Sequence, residues 1–253
     1  MDALGIDIGG TGIKAAPVDV VTGELLGARN KIATPRPATP EAVTDVVREL
    51  AASFKWTGAV GTTFPGVITR GVVRTAANVD KSWVGTDAAE LFGKAIGTEV
   101  TVLNDADAAG VAEMTFGAGK GERGLVLMLT FGTGIGSALF IGGQLVPNTE
   151  FGHIEIRGRD AEKRASEHAK EVHDLSWSKW AERVNEYLQH MEALLSPDLI
   201  IVGGGISKES QKWVPLLDGV RARIITANLH NDAGIVGAAM AAAGLVAPGR
   251  PVS

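Results

Sequence analysis

Three apolar segments of the chain end in glycine-rich turns. They are residues 6–12 (IDIGGTG), 129–136 (LTFGTGIG) and 200–205 (IIVGGG). Glycine lets successive backbone N–H groups approach an anion closely and form a nest around it. The same sequences could also be tight turns that hold no ligand. We predict that they bind phosphate through Gly9, Gly10, Thr11 and Gly12, through Gly132, Thr133 and Gly134, and through Gly204.

The spacing of these glycines excludes two common nucleotide-binding motifs. Neither GGTG at 9–12 nor GTGIG at 132–136 has the GxGxxG spacing, and each is followed by a predicted strand instead of a helix. The chain contains no GxxxxGK[ST] sequence. The third turn opens toward a predicted helix near Ser207, whose N-terminal amides would add phosphate donors.

Charged side chains stand at positions where they could take part in phosphoryl transfer. Asp105 follows a predicted strand at 100–104, where it could accept the proton of an attacking hydroxyl or cap the next helix. Glu150 and His153 are three residues apart and can point to one side. They could ligate zinc, form a structural pair or bind sugar hydroxyls. Lys14 follows the first turn and could reach a phosphate.

The elements that must position these groups occur twice in the sequence. GTGI is found at 10–13 and again at 132–135, each time after an apolar run (4–8 and 125–131). Each copy is followed by another strand-like run, a turn and a third short strand. A tetrapeptide that recurs with the same flanking pattern indicates an internal duplication.

Helical and strand patterns alternate through the rest of each half. Predicted helices cover 40–54, 105–116, 160–172, 176–195 and 234–245, and predicted strands cover 57–64, 100–104, 199–202 and 224–227. This alternation predicts an α/β protein with two similar lobes and a central cleft. We expect a smaller N-terminal lobe at 1–117 and a larger C-terminal lobe at 118–253. Whether the last helix crosses back to the N-terminal lobe stays open.

Composition excludes several classes of protein. The 253 residues include no cysteine, which excludes disulfides, thiolate zinc sites, iron–sulfur clusters and a cysteine nucleophile. A net charge of -5 argues against a general nucleic-acid binder. Residues 1–8 lack the basic start of a secretory signal, and the uncharged stretches do not have the composition of a membrane span. We therefore expect a cytoplasmic protein with no membrane partner.

The order of these motifs resembles a known superfamily. DIGGTGIK, LTFGTGIGSAL and LIIVGGGISK are similar to the phosphate 1, phosphate 2 and adenosine motifs of actin, sugar kinases and Hsp70, whose two lobes are ribonuclease H-like. Asn104-Asp105, EFGH at 150–153 and FPG at 64–66 resemble the ROK (repressor, ORF, kinase) family. TTFPGVI, NDADAAG and EFGHIEI are most similar to bacterial ROK kinases that phosphorylate glucose with polyphosphate.

The resemblance implies a role for individual residues. Asp105 would be the catalytic base, and Asn78, Asn104, Glu150 and His153 would bind the sugar. Glu167 would do so too, matched to the glutamate that ends a cysteine-rich segment in ROK kinases. Asp7 would orient hydrated Mg2+. The segment DAEKRASE at 160–167 stands where other ROK kinases have three zinc-binding cysteines, so we expect no zinc site.

The implied reaction transfers a terminal phosphoryl group from polyphosphate to the 6-hydroxyl of glucose, with Mg2+. ATP as a second donor and mannose as a second acceptor stay open. Candidates for a basic polyphosphate track are Lys14, Arg74, Lys81, Lys120, Arg123, Lys163 and Arg164. Alternatives are an ATP-dependent kinase for another sugar and a sugar-sensing regulator. Such regulators carry an N-terminal helix-turn-helix, for which residues 1–6 leave no room. The resemblance also implies a homodimer.

Overall fold

The computed structural model describes residues 1–246. The strands are β1 Asp2–Ile8, β2 Gly12–Asp19, β3 Glu24–Leu25, β4 Asn30–Ala33, β5 Val60–Phe64, β6 Ile68–Thr69, β7 Val72–Val73, β8 Val100–Asn104, β9 Leu125–Phe131, β10 Ile135–Ile141, β11 Gln144–Val146, β12 Glu155–Ile156, β13 Arg159–Asp160, β14 Leu199–Gly203 and β15 Arg223–Thr226. The α-helices are α1 Pro40–Ser53, α2 Ala88–Ile96, α3 Asp105–Phe116, α4 Glu162–Ala165, α5 Glu167–Val172, α6 Trp177–Leu195 and α7 Ala233–Ala242.

Two sheets repeat one strand pattern. The first has the order β3-β2-β1-β5-β8, with β4 also paired to β2, and the second has the order β11-β10-β9-β14-β15. In each, an antiparallel hairpin (β1–β2 or β9–β10) continues into parallel strands. The predicted duplication of strand, glycine turn, strand, turn and strand is confirmed, and so is the α/β class.

The chain divides into two compact units. Of the described residues, the first contains Met1–Ala112 and 232–246, and the second contains Glu113–Asn231. The division falls inside α3, whereas the sequence placed it at 117/118. Helix α7 belongs to the first unit, where it packs on β1, β5 and β8. Residues 247–253, which the expected C-terminal lobe includes, lie outside the described residues.

Each unit has an aromatic centre to its core. In the first, Trp83 lies between Phe64 and Phe92, with ring centroids 4.9 and 5.7 Å away. In the second, Phe131 makes edge contacts with Trp180 and Trp213 at 5.9 and 5.8 Å. All six of these aromatic side chains are fully buried. Such tightly packed side chains leave the strands little freedom to shift.

Two predicted helices differ from the structure. The region 160–172 is not one helix: β13 ends at Asp160, and α4 and α5 are separated by Ser166, whose backbone is extended. The Ser166 hydroxyl accepts the Ala169 N–H at 3.1 Å and starts a new helix, as a serine cap does. After the third glycine turn the chain forms a 3-10 helix, Gly205–Lys212, with a non-helical residue at Glu209.

Among residues 1–246, the helices lack the combination of length and apolar character needed to cross a lipid bilayer.

Helix α7 approaches the first sheet closely because both surfaces carry glycine. A Cβ atom at Gly5 would collide with the carbonyl of Ile235, and one at Gly61 would collide with that of Ala238. On the other side of the helix, a Cβ at Gly237 would collide with the carbonyl of Ala108 in α3. Backbone atoms cannot move aside as a side-chain end can, so these positions require glycine.

We predict that Gly61→Ala lowers the free energy of unfolding by about 1–3 kcal/mol, because the added methyl must push α7 away from β5. The matched control is Gly27→Ala, at an exposed position with open space around it, where the change should stay within about 0.5 kcal/mol. Urea unfolding followed by circular dichroism measures both. Equal midpoints for the two variants would contradict the close packing of α7.

Candidate active site

The first glycine turn closes the β1–β2 hairpin. Gly9 donates its N–H to the Gly12 carbonyl at 3.2 Å, and the Thr34 hydroxyl donates to the Gly9 carbonyl at 2.5 Å. Gly10 and Thr11 are exposed at the tip. The turn is therefore fixed at its base and open at its tip, as a backbone phosphate cradle requires.

The second glycine turn repeats this arrangement between β9 and β10. Gly132 donates to the Gly134 carbonyl at 3.0 Å, and Thr133 is exposed. Two outside contacts hold the turn: His168 donates its backbone N–H to the Gly132 carbonyl at 3.1 Å, and Ile135 donates to a Glu162 carboxylate oxygen at 3.3 Å.

The third turn is built differently. Gly204 has a φ of 88°, and a side chain there would collide with the backbone of Phe131. The Ser207 hydroxyl and N–H both donate to the Gly204 carbonyl, at 2.8 and 3.2 Å. The expected α-helix N-terminus is thus replaced by a 3-10 turn, whose tighter hydrogen bonding changes where its first N–H groups point.

Asn104 holds the start of α3. Its Oδ1 accepts the N–H groups of Ala106 and Asp107 at 2.9 and 3.0 Å, and its Nδ2 donates to the Gly66 carbonyl at 3.2 Å. The residue is 5% exposed. Asn104 is thus the main cap of this helix, a role that the sequence left open for Asp105. Its predicted contact with sugar would have to use the second hydrogen of Nδ2.

Asp105 is the first residue of α3, at the carboxyl end of β8, as predicted. It is partly buried, and its Oδ1 accepts the Ala106 N–H at 2.9 Å. Because β8 is paired in parallel with β5, the chain turn after each of these strands lies at one edge of the sheet. Asp105 therefore stands where α/β proteins place reactive groups.

Asp7 lies near the end of β1 and is oriented by a residue that the sequence analysis missed. The Thr63 hydroxyl donates to Asp7 Oδ1 at 3.0 Å and accepts the Ile8 N–H at 2.9 Å. Lys14 Nζ is 3.7 Å from Asp7 Oδ2. The contact between Thr63 and Asp7 depends on the parallel pairing of β1 with β5, which a single sequence does not show.

Asn78 lies beside the first glycine turn. A Cβ atom on Gly10 would come within 3.6 Å of the Asn78 Cβ. Asn78 itself has a φ of 58°, a left-handed conformation that asparagine tolerates better than most residues. The structure thus brings this predicted sugar-binding residue to the turn that is predicted to bind phosphate.

In the second unit, His153 is surrounded by three carboxylates. Its Nε2 is 3.7 Å from Glu150, and its Nδ1 is 3.6 Å from Asp160 and 3.9 Å from Glu162. Glu162 was not among the predicted site residues. Ligand atoms of His153, Asp160 and Glu162 lie within 4.8 Å of one another, and these side-chain types can bind divalent cations. The absence of cysteine therefore excludes a metal site with thiolate ligands, but it does not exclude one formed by histidine and carboxylates.

Glu167 does not join this group. Its carboxylate lies at the third glycine turn, where a Cβ on Gly205 would be 3.2 Å from it. Glu162 and Glu167 lie in one predicted helical segment, and the extended backbone at Ser166 separates them. The structure thus places Glu162, instead of Glu167, beside Glu150 and His153.

Burial raises the pKa of Glu150. The His153 ring opposes this shift and lowers the pKa, whereas the negative charge of Glu162 raises it further. The pKa of Glu167 is also raised, mainly by burial and then by Glu171. In contrast, the hydrogen bond from Lys163 lowers the pKa of Asp160.

Comparison with known proteins identifies the fold. The structure superposes with a TM-score of 0.93 on the inorganic polyphosphate/ATP-glucomannokinase of Arthrobacter sp. strain KM, at 51% identity over 96% of this chain and 98% of that one. A ROK family glucokinase of Streptomyces griseus, in complex with glucose and AMPPNP, matches with a TM-score of 0.80 at 27% identity over 96% and 100% of the chains. The two repeated sheets therefore have the actin-like fold of sugar kinases.

The ROK family model matches residues 3–165. The polyphosphate glucokinase of Mycobacterium tuberculosis (strain CDC 1551 / Oshkosh) is 56% identical over 239 residues, which cover 94% of this chain and 90% of that protein. The chain belongs to the ROK family.

We predict that Glu162→Gln lowers the pKa of Glu150, because a like charge nearby is removed. His153→Gln should raise the pKa, because the ring that favours the carboxylate is lost. Carboxyl 13C NMR titration measures both, and Glu182→Gln on the exposed face of α6 is the control. A Glu150 pKa that is the same in both variants as in the unchanged protein would show that these side chains are not close to one another in solution.

Proposed function

We propose that the protein transfers the terminal phosphoryl group of inorganic polyphosphate to the 6-hydroxyl of glucose, giving glucose 6-phosphate. The observation that carries the proposal is the 56% identity, over 94% of the chain, to a polyphosphate glucokinase. The groups that this reaction needs are present: two open glycine turns, a carboxylate at a strand end, and polar side chains suited to sugar hydroxyls.

ATP is proposed as a second donor and mannose as a second acceptor. The 51% identical Arthrobacter relative is named as a polyphosphate/ATP-glucomannokinase, which supports both. The third glycine turn keeps the sequence of an adenosine motif, GGG at 203–205. The same proposal includes a cytoplasmic location and a homodimer, of which the resemblance to ROK kinases supports the homodimer.

Asp105 accepts the proton of the glucose 6-hydroxyl while the oxygen of that hydroxyl attacks the terminal phosphorus atom, and the shortened polyphosphate leaves. The reacting carboxylate must be held still, because a base works only within hydrogen-bond reach of the proton that it removes. Asn104 provides this by fixing the first turn of α3 to the Gly66 carbonyl. Its remaining amide hydrogen is available to a sugar oxygen.

Glu150, His153 and Asn78 bind sugar hydroxyls, and we add Glu162 to this set in place of Glu167. Carboxylates accept hydrogen bonds from hydroxyl groups, and the imidazole can donate or accept. Glu162 qualifies because it lies 3.9 Å from His153 and also accepts the Ile135 N–H. One carboxylate therefore contacts both the sugar-binding group and the second glycine turn.

The exposed amides of the two glycine turns, together with Lys14, hold the phosphoryl oxygens. Asp7 is the residue that would hold hydrated Mg2+, since that ion takes one or two carboxylates and keeps most of its waters. Its carboxylate fits this role: it is only partly buried and is oriented by Thr63. When bound, the ion would neutralise charge that develops on the transferred group.

We predict that Asp105→Asn lowers kcat by roughly 10²-fold or more, because the amide cannot accept the proton. Glucose binding, measured by calorimetry, should change little. Asp87→Asn is the matched control, since Asp87 also begins a helix and accepts the Glu90 N–H at 2.9 Å. Near-normal turnover by the Asp105 variant would remove this residue from its role.

The overall proposal is tested by one coupled assay of the purified protein. Glucose, mannose and N-acetylmannosamine are each offered with polyphosphate and with ATP. We expect glucose 6-phosphate from polyphosphate and glucose. Product with ATP and another sugar, but none with polyphosphate, would establish the alternative of an ATP-dependent kinase.

A further inference from the structure

A cavity of about 310 Å³ lies in the second unit beside the second glycine turn. Thr133, at the exposed tip of that turn, forms part of its wall. The rest of the wall comes mostly from α4 and α5, and the His168 N–H holds α5 to the turn at 3.1 Å. The cavity and the turn are therefore one connected structure, and a ligand that leaves the turn can continue into the cavity.

The groups around the cavity suit a chain of phosphates. Lys163 contributes an ammonium group, His168 and His173 contribute imidazole rings, and Thr133 contributes a hydroxyl. All of these can donate hydrogen bonds to phosphate oxygens. Among the described residues of the wall, Glu162 is the one carboxylate, and one of its oxygens already accepts the Ile135 N–H.

Lys163 is available to a ligand although it is paired with Asp160. The two charged groups are 3.2 Å apart and the lysine side chain is 65% exposed. An exposed ion pair of this kind contributes only about 0–1 kcal/mol, so its rearrangement costs little. The ammonium group also has three hydrogens, of which Asp160 uses one.

We propose that this cavity binds the phosphates of polyphosphate that follow the transferred one. This rests on the proposed function, in which the terminal phosphate sits on the glycine turns. Lys163, His168 and His173 hold the chain behind it. Of the basic residues that the sequence offered as a track, the structure thus selects Lys163 and adds two histidines that the charge pattern did not show.

The test compares Lys163→Met with Lys179→Met. Lys179 is a close match, because it is 67% exposed and pairs with Glu182 three residues away at 3.1 Å. The Kd for long-chain polyphosphate is measured by calorimetry without glucose, and kcat and KM are measured with polyphosphate and glucose. His173→Gln, at an exposed position, provides a second and independent variant.

We expect Lys163→Met to weaken polyphosphate binding about tenfold, as the loss of one charge-assisted hydrogen bond does. The KM for glucose should stay within about twofold of the unchanged protein. The dependence of polyphosphate affinity on salt concentration should also become shallower, because one fewer cation is displaced. His173→Gln should weaken binding in the same direction, and Lys179→Met should change neither quantity.

Equal polyphosphate affinity in the two lysine variants, with turnover intact, would overturn the inference and leave the proposed function standing. Binding that depends on Lys163 in a protein without turnover would support the cavity and overturn the proposed function. A protein that neither binds polyphosphate nor turns it over would overturn both the inference and the proposed function. An equal loss of affinity in both lysine variants would also count against the cavity, since it would indicate a general effect of charge.

Discussion

The arrangement of the first unit depends on the side chain of Asn104. This one amide joins three backbone segments: the end of β8, the first turn of α3 and the loop at Gly66. The group is almost fully buried, so a substitution would leave several backbone groups without partners in a site that water barely reaches. Asp105, one residue further on, is thereby held without using its own carboxylate as the main cap. The start of α3 therefore depends mainly on Asn104.

Glu162 has a comparable place in the second unit. It reaches the backbone of the second glycine turn with one oxygen and approaches His153 with the other. The carboxylate of Glu162 therefore links the turn to the neighbourhood of the histidine. Its negative charge also contributes to the raised pKa of Glu150. In the proposed function, acceptor groups for a sugar and donor groups for a phosphate thus come from neighbouring parts of one sheet and the short helices that follow it.

Sequence patterns could predict the parts of this structure that depend on local periodicity. The two hairpins, their glycine turns and the strand before Asp105 follow from apolar runs that end in turn residues. Long-range contacts lay beyond such patterns: Thr63 reaches Asp7 through strand pairing, and α7 joins the first unit through packing. The different positions of Glu162 and Glu167 have a local cause that periodicity does not show, since Ser166 caps a new helix between them and turns the two side chains apart.

The position of α7 has a consequence for the order in which the chain folds during synthesis. The strands of the first sheet leave the ribosome early, yet the helix that covers β1, β5 and β8 is made only after the whole of Glu113–Asn231. The second unit is continuous in sequence and can complete its core as soon as it emerges. The first must wait with one face of its sheet uncovered. The second unit can therefore complete its fold before the first, which is completed only when α7 packs on its sheet.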